Sequence, residues 1–403
     1  LLSRRQRQMC IRDRFYYNEF GCITSECRDN CCIGGWEIDI DDETYERYNN
    51  MTGELKSRIL DSITQNEDEE YCFKLCDGKC PMLDDNGLCE IHKNLGEDYL
   101  GVVCKQFPRY SEYYGTIKES GIGLACEEAA RIILSENRPF SMETAACDEQ
   151  YEPSSEYDSS FALQIFAARE AVFKILAEES LSIHEKLIVI LDMGSKIQQC
   201  INTDEYDNIK SVVNDYLKEG IAHTLDETRN LSDSGQFEDI SLQQGIRQIL
   251  YPYEEMEVLN PEWEVILKDI IDSLFEQMSD EEYNILNEEF GTYMVSRAYE
   301  YRQLLEYLVF RYFAKSIYDY DFLGKCQMLV TNFFVIRQMD IIRWLDNHRE
   351  YSFKDRMDVV HIFSRQVEYS EDNIENLYED FIFDDIFKTD SLIAILWIDS
   401  ENI

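Results

Sequence analysis

Proline and glycine are scarce in the second half of this chain. The 403 residues include 6 prolines and 17 glycines, but no proline follows Pro261, and the only glycines beyond it are Gly291 and Gly324. Both residue types mark turns and interrupt regular elements. A β-domain needs frequent turn residues between its strands, so their scarcity argues strongly against one here. We therefore expect a mainly α protein.

Basic residues are scarce as well. The chain has 38 Lys and Arg against 81 Asp and Glu, which gives a formal net charge of −43 at pH 7. A surface this negative repels phosphate backbones and anionic lipids. No apolar run reaches the roughly 18 residues of a membrane-spanning helix. We therefore expect neither nucleic acid nor a membrane as a partner.

The first residues do not share this acidic character. The stretch "RRQRQMCIRDR" (4–14) is a basic run at the head of an acidic chain, and it resembles the in-frame translation of a transposon-end sequencing adapter. We interpret residues 1–14 as a non-native segment. They are excluded, Cys10 included, from reasoning about fold and function.

Apolar residues in the region 151–403 recur with the period of an α-helix. Spacings of three or four residues place side chains on one helix face. Two segments show such spacings, at Phe161, Ile165, Ala168, Val172 and Leu176, and at Leu304, Leu308 and Tyr312. The aromatic stretch 332–344 and the apolar stretch 392–398 are interpreted as buried helical segments. We predict that residues 151–403 form one helical domain.

Polar segments mark the expected breaks in this helical array. A linker is predicted at 147–160, where Ser159 or Ser160 would cap the helix that follows. Further loops are predicted at 230–239 and around Pro252 and Pro261.

The region 15–150 is rich in cysteine and in turn-forming residues. Twelve of the fourteen cysteines precede residue 150, leaving Cys200 and Cys326 beyond it. The pairs "GG", "DG" and "NG" mark short elements. Such a segment buries little apolar surface per residue and needs an additional cross-link to be stable. We predict a small irregular domain that its cysteines hold together.

Four roles compete for these cysteines. Disulfides need an oxidising compartment, and the adjacent pair Cys31–Cys32 cannot close on itself without strain. Buried free thiols are the simplest interpretation of Cys200 and Cys326, but not of so many thiols crowded into one region. A catalytic thiol needs a basic partner, and the chain has 5 histidines. Metal ligation remains.

The spacing of the cysteines favours a metal site without deciding which metal it holds. Zinc sites usually contain C-x2-C pairs, and none occurs here; gaps of three and four residues fit an iron–sulfur cluster better. Thiolates select zinc or iron–sulfur clusters, so both stay open. The cysteines in this region, Cys147 and the excluded Cys10 aside, are Cys22, Cys27, Cys31, Cys32, Cys72, Cys76, Cys80, Cys89, Cys104 and Cys126.

Three blocks of this region resemble a known family, the flagellin lysine N-methylases (FliB family). The first is "FGCITSECRDNCCIGGWEIDIDDETYERY" (20–48), with four cysteines that end in a CC pair, then a GW and an "ID..TY..Y" element. The second is "CPMLDDNGLCEIHKNLGEDYLGVVCKQFPRY" (80–110) and the third "LACEEAARIIL" (124–134). The helical remainder is similar to the family in general character only.

The resemblance implies a cytoplasmic enzyme that methylates lysine side chains of flagellin with S-adenosylmethionine. It also implies an iron–sulfur cluster, a 4Fe–4S cluster, with zinc as the alternative, in a domain at 15–150. Cys72 and Cys76 look additional to the family pattern. The metal ligands that the resemblance then implies are Cys22, Cys27, Cys31, Cys32, Cys80, Cys89, Cys104 and Cys126.

The methyl donor's site cannot be assigned from a motif. "VILDMGSK" (189–196) weakly resembles the strand and Gly-rich turn of doubly wound methyltransferases, but its flanks are helical, so we expect an ordinary helix. A donor pocket would then lie in the helical domain or at its junction with the metal domain. Two other functions stay open: a non-catalytic metal-binding or redox module, and a zinc-stapled helical adaptor for a basic partner.

Overall fold

Helices dominate the part of the chain that the structure describes, as the scarcity of proline and glycine predicts. The computed structural model describes residues 9–28, 31–33, 36–66, 69–147, 158–233 and 240–401. Its helices are α1 (Asp42–Asn50), α2 (Glu54–Asp61), α3 (Glu90–Leu95), α4 (Val102–Gln106), α5 (Glu127–Leu134), α6 (Ser159–Ala177), α7 (Ile183–Asn202), α8 (Ile209–Asp215), α9 (Ile221–Asp233), α10 (Leu242–Glu254), α11 (Pro261–Ile270), α12 (Asp280–Met294), α13 (Ala298–Tyr312), α14 (Ser316–Asp319), α15 (Phe322–Asp346), α16 (Phe353–Val367), α17 (Glu371–Phe383) and α18 (Thr389–Glu401). The prediction of a mainly α fold is confirmed.

Short strands accompany these helices in the N-terminal region. They are β1 (Met9–Arg14), β2 (Ile63–Gln65), β3 (Tyr71–Phe73), β4 (Arg109–Tyr114), β5 (Ile117–Ile122) and β6 (Met142–Cys147). Within the described ranges, four of them form a sheet in the order β4-β5-β1-β6, in which β1 runs parallel to β5 and antiparallel to β6. This sheet was not predicted from the sequence. Strand β1 belongs to the segment interpreted as non-native, and that interpretation stays a prediction.

The periodic apolar positions of the helical region are buried as predicted. On α6, the five periodic apolar side chains from Phe161 to Leu176 are each at most 1% exposed. Helix α15 is buried on nearly all sides and crosses the centre of the domain, where α7, α13 and α16 pack against it. Helix α18 carries the apolar stretch 392–398 into the same core. Residues 189–196 lie inside α7, so the expectation of an ordinary helix is confirmed.

Several predicted helix boundaries are wrong. The residue that caps α6 is Asp158, whose Oδ1 accepts hydrogen bonds from Ser160 N at 2.7 Å and from Phe161 N at 3.2 Å. A carboxylate one residue earlier therefore takes the role assigned to Ser159 or Ser160. Of the predicted linker, residues 148–157 lie outside the described residues.

The predicted loops also need correction. Pro252 lies in the last turn of α10 and its ring is buried. It removes one hydrogen bond to the carbonyl four residues earlier, close to the point where the helix ends. Pro261 is the first residue of α11, a position that favours proline. Residues 230–233 belong to α9, and 234–239 lie outside the described part of the chain.

Two hydrophobic cores form among the described residues. The larger core lies within the helical domain and extends into the N-terminal region through Tyr16, Tyr114 and Leu124. The smaller surrounds Tyr48 and Met82, beneath the cysteine-rich segments. The domain boundary predicted at residue 150 stays a prediction, but the larger core crosses it. No helix of the described ranges is long and apolar enough to span a bilayer.

A buried ion pair joins the sheet to the helical domain. Arg169 on α6 donates from Nη2 to Glu119 Oε1 on β5 at 2.6 Å and from Nη1 to Glu119 Oε2 at 2.7 Å. The side chains are 1% and 3% exposed. Because both groups have left water, the loss of either one costs the other two buried hydrogen bonds.

Arg169→Leu should therefore lower the free energy of unfolding by about 3–5 kcal/mol, because it leaves the Glu119 carboxylate buried without its partner. Urea unfolding measures this loss. The matched control is Arg138→Leu, whose ion pairs with Glu19 and Glu136 lie in solvent and should contribute far less. Equal losses in the two variants would contradict a special role for the buried pair.

Candidate functional site

The predicted ligand cysteines line one cavity of about 430 Å³ in the N-terminal region. Cys72 and Cys76 are not part of its wall. The cysteines of the wall are Cys22, Cys27, Cys31, Cys32, Cys80, Cys89, Cys104 and Cys126. The fold thus gathers residues that are separated by as many as 104 positions in sequence, and it selects the same eight that the resemblance implied. Their role as ligands stays a prediction.

The first part of the wall is a turn that carries the adjacent cysteine pair. Cys31 and Cys32 lie on a short 3-10 turn, and the backbone N–H of Cys80 donates to Cys32 O at 2.7 Å. This bond holds Cys80 beside the pair. The Cys32 thiol hydrogen-bonds with Cys31 and Cys80, which raises its own pKa and lowers the pKa of the other two thiols.

Short helices carry the opposite wall. Cys89 and Cys126 immediately precede α3 and α5, and Cys104 lies within α4. Burial raises the pKa of Cys104 to about 12 and that of Cys126 to about 11. At Cys89 burial also raises the pKa, while the backbone N–H groups at the start of α3 act in the opposite direction.

The remaining two cysteines lie on the loop that follows Phe20. The backbone N–H of Thr24 donates to Cys22 Sγ at 3.4 Å. Cys27 Sγ lies 3.6 Å from Glu127 Oε2 on α5. Burial and the nearby Glu127 carboxylate raise the pKa of Cys27 to about 12.

The raised pKa values indicate that the thiols concerned ionise near neutral pH only when a cation compensates the negative charge. A buried thiol ligates only as the thiolate, and burial penalises that charge unless a cation compensates it. Several thiols around one cavity, with raised pKa values, therefore suit a cationic centre that prefers sulfur, either zinc or an iron–sulfur cluster. Within the described residues, no three His, Cys, Asp or Glu side chains converge closely enough to hold a single metal ion.

Aromatic residues pack against one another where the cysteine-rich region meets the helical domain, and Phe107 among them lines the cavity. Trp36 stacks on Tyr369 with ring centroids 5.6 Å apart, and Phe107 lies 5.5 Å from Trp36. Arg109 donates to Phe20 O at 3.0 Å and lies 4.8 Å from the Phe20 ring. These two contacts hold the Arg109 side chain against Phe20.

One histidine also lines the cavity. It is His92, whose side chain is exposed.

Comparison with known proteins identifies the family. Residues 169–395 match the FliB lysine N-methylase C-terminal domain. The chain belongs to the FliB lysine N-methylase family. The match covers more than half of the chain and lies in the helical region, whereas the motifs that suggested the family lie at 20–134. The resemblance is therefore confirmed by a different part of the molecule.

Two curated relatives show the extent of the similarity. The chain is 30% identical over 136 residues to the lysine-N-methylase of Salmonella typhimurium, which covers 32% of this chain and 34% of that protein. It is 29% identical over 136 residues to the flagellar biosynthetic protein FliU of Salmonella muenchen, 80% of that protein. The match thus spans about a third of the length of the lysine-N-methylase. No solved structure matches the chain.

Sequence reasoning missed a second set of polar residues in this FliB family member. Asp358, His361 and Arg365 on α16 face the N-terminal region and line a separate cavity. Their spacing of three and four residues places them on one helix face. The signal was therefore present in the sequence, but a polar face of this kind usually indicates solvent rather than a site.

The cavity predicts which cysteines matter for metal content. We expect Cys104→Ser to remove most of the bound metal, because Cys104 lines the cavity and is half-buried. Cys76→Ser is the matched control, since Cys76 is exposed and lies outside the wall. Metal and acid-labile sulfide are measured after anaerobic purification. Loss of metal in Cys76→Ser but not in Cys104→Ser would contradict the assignment.

Proposed function

We propose that this protein transfers a methyl group from S-adenosylmethionine to lysine side chains of flagellin or a similar protein. We further propose that ligands drawn from the eight cavity cysteines hold an iron–sulfur cluster of the 4Fe–4S type. Membership of the FliB lysine N-methylase family supports the reaction. The proposal of a cluster is supported by one observation: these eight cysteines line the same cavity.

The reaction is a polar displacement at the sulfonium methyl group. The lone pair of lysine Nζ forms the new C–N bond as the S–CH₃ bond breaks, and S-adenosylhomocysteine leaves. The proton lost from nitrogen goes to a base or to water. Such a displacement needs the nitrogen, the methyl carbon and the sulfur in line. The enzyme's contribution is then chiefly to hold donor and lysine in that geometry.

The substrate lysine must reach the site as the neutral amine. A lysine in water has a pKa near 10.4, so most of it is protonated at neutral pH. Desolvation in a protein pocket lowers that pKa and favours the neutral form. The net charge of −43 attracts basic surfaces over a distance, which suits a substrate that presents lysine.

The cavity fits a cluster by the chemistry of its donors. Thiolates are the ligands of 4Fe–4S clusters, four to each cluster, and the wall supplies eight candidates. When bound, such a cluster supplies the positive charge that keeps buried thiols ionised. Cys32, Cys80, Cys89 and Cys104 lie on the side towards the smaller core, whereas Cys22, Cys27 and Cys126 lie towards α5.

The test combines metal analysis with donor binding and methylation in one anaerobic preparation. We expect about four iron and four sulfide per cluster, saturable binding of S-adenosylmethionine, and methylated lysines on flagellin by mass spectrometry. Cys76→Ser should retain all three properties. Stoichiometric zinc without sulfide would overturn the cluster. Metal without any donor binding would overturn the methyltransferase and leave a metal-binding or redox module.

A further inference from the structure

A second cavity, of about 410 Å³, lies where the cysteine-rich region meets the helical domain. We refer to it as the charged pocket. Its volume falls within the roughly 300–1,000 Å³ of small-molecule sites. The residues that line it are Arg28, Glu127, Asn260, Glu262, Arg343, Asp358, His361, Ile362 and Arg365.

The charged pocket shares a wall with the cysteine cavity. Cys27 and Cys126 line the cysteine cavity, and the residues that directly follow them, Arg28 and Glu127, line the charged pocket. Across this wall, Cys27 Sγ lies 3.6 Å from Glu127 Oε2. A molecule that occupies the charged pocket therefore lies directly beside the thiols.

The opposite side of the pocket is built by α15 and α16. Asp358, His361, Ile362 and Arg365 are spaced at i, i+3, i+4 and i+7, which places them on one face of α16. Arg343 reaches the pocket from α15, and its Nη1 lies 4.0 Å from Asp358 Oδ2. The site thus rests on two long, rigid helices.

The pocket contains both signs of charge. Its guanidinium groups are those of Arg28, Arg343 and Arg365, and its carboxylates are those of Glu127, Glu262 and Asp358. Arg28 is held between two of these carboxylates: its Nε donates to Glu127 Oε1 at 3.1 Å, and its Nη2 pairs with Asp358.

Arg365 occupies the buried end of the pocket. It is 4% exposed and lies 4.9 Å from the Trp36 ring. Its guanidinium group thus stays oriented by stacking, as a rigid fork that suits a carboxylate. His361 beside it is also buried, and burial lowers its pKa, so the ring adds no net charge near pH 7.

This mixture of charges selects the chemistry of a ligand. A purely anionic ligand would meet three carboxylates, and a purely cationic ligand would meet three guanidinium groups. A zwitterion with an ammonium and a carboxylate group close together can pair with both. The α-amino acid group has that arrangement.

We propose that the charged pocket binds the α-amino acid group of S-adenosylmethionine, with the carboxylate towards Arg343 and Arg365 and the ammonium towards Glu127 and Asp358. The inference rests on the proposed function and supplies the donor site that the sequence could not assign. A free amino acid such as methionine carries the same group, so the experiment must separate these two sources.

The test compares two donors on wild-type protein and on Arg343→Gln by calorimetric titration. Decarboxylated S-adenosylmethionine keeps the sulfonium and the amine but lacks the carboxylate. We expect Arg343→Gln to weaken binding of S-adenosylmethionine by about tenfold or more, because a charged hydrogen bond is lost. Binding of the decarboxylated donor should not change. Free methionine is titrated in parallel.

Arg349→Gln is the matched control, because Arg349 is exposed and pairs with Glu289 away from the pocket. It should bind both donors as the wild type does. If Arg343→Gln does not fold, Asp358→Asn tests the contact with the ligand's ammonium group. It should weaken binding of both donors equally, so that the wild-type preference for S-adenosylmethionine over the decarboxylated donor is unchanged.

The outcomes separate this inference from the proposed function. Equal effects of Arg343→Gln on the two donors, or none, would overturn the pocket and leave the methyltransferase standing. Binding of methionine but not of S-adenosylmethionine, lost in Arg343→Gln, would support an amino acid pocket and overturn the methyltransferase. Binding of neither molecule by the wild type would overturn both.

Discussion

The cost of burying thiolates is the constraint on which the cysteine-rich region depends. A buried thiol needs no counter-charge, whereas a thiolate in the same place does. Burial brings the pKa of Cys27 and Cys104 to about 12, so these groups ionise near pH 7 only when a cation compensates the charge. Metal binding at such a site releases protons and contributes to folding at the same time. Under the proposed function, the small core around Tyr48 would therefore be fully stabilised only when the cation is bound.

The cysteine-rich region is also closed by the helical domain. The backbone N–H of Leu124 donates to Tyr307 Oη on α13 at 3.3 Å, and Trp36 of the cysteine-rich region stacks on Tyr369 of the helical domain. Arg28 joins Glu127 to Asp358 across the same boundary. The cysteine cavity and the helices thus form one structure, so a pocket between them lies beside the thiols.

Secondary structure was predictable where local pattern decides it. The spacing from Phe161 to Leu176 and the scarcity of turn residues both predicted the helices, because one-sided burial imposes a period on the sequence. Boundaries were less predictable: Asp158 displaced Ser159 as the cap, since neighbouring oxygen-bearing side chains compete for the same N–H groups. The pairing of β1 with β5 was missed because these strands are more than 100 residues apart in sequence. No local pattern encodes such a pairing.

The sequence by itself determined which thiols are candidate ligands and that the larger domain is helical. Residue types and the family resemblance suffice for the first and apolar spacing for the second, because motifs and helix period are local properties. Only the tertiary structure decided that Cys126 lies beside Cys27 and that Cys76 stays outside the wall. It also decided that the polar face of α16, which reads as a solvated surface, points into a charged pocket. Such placements depend on contacts between distant segments, and burial, not sequence, sets the electrostatic properties that follow from them.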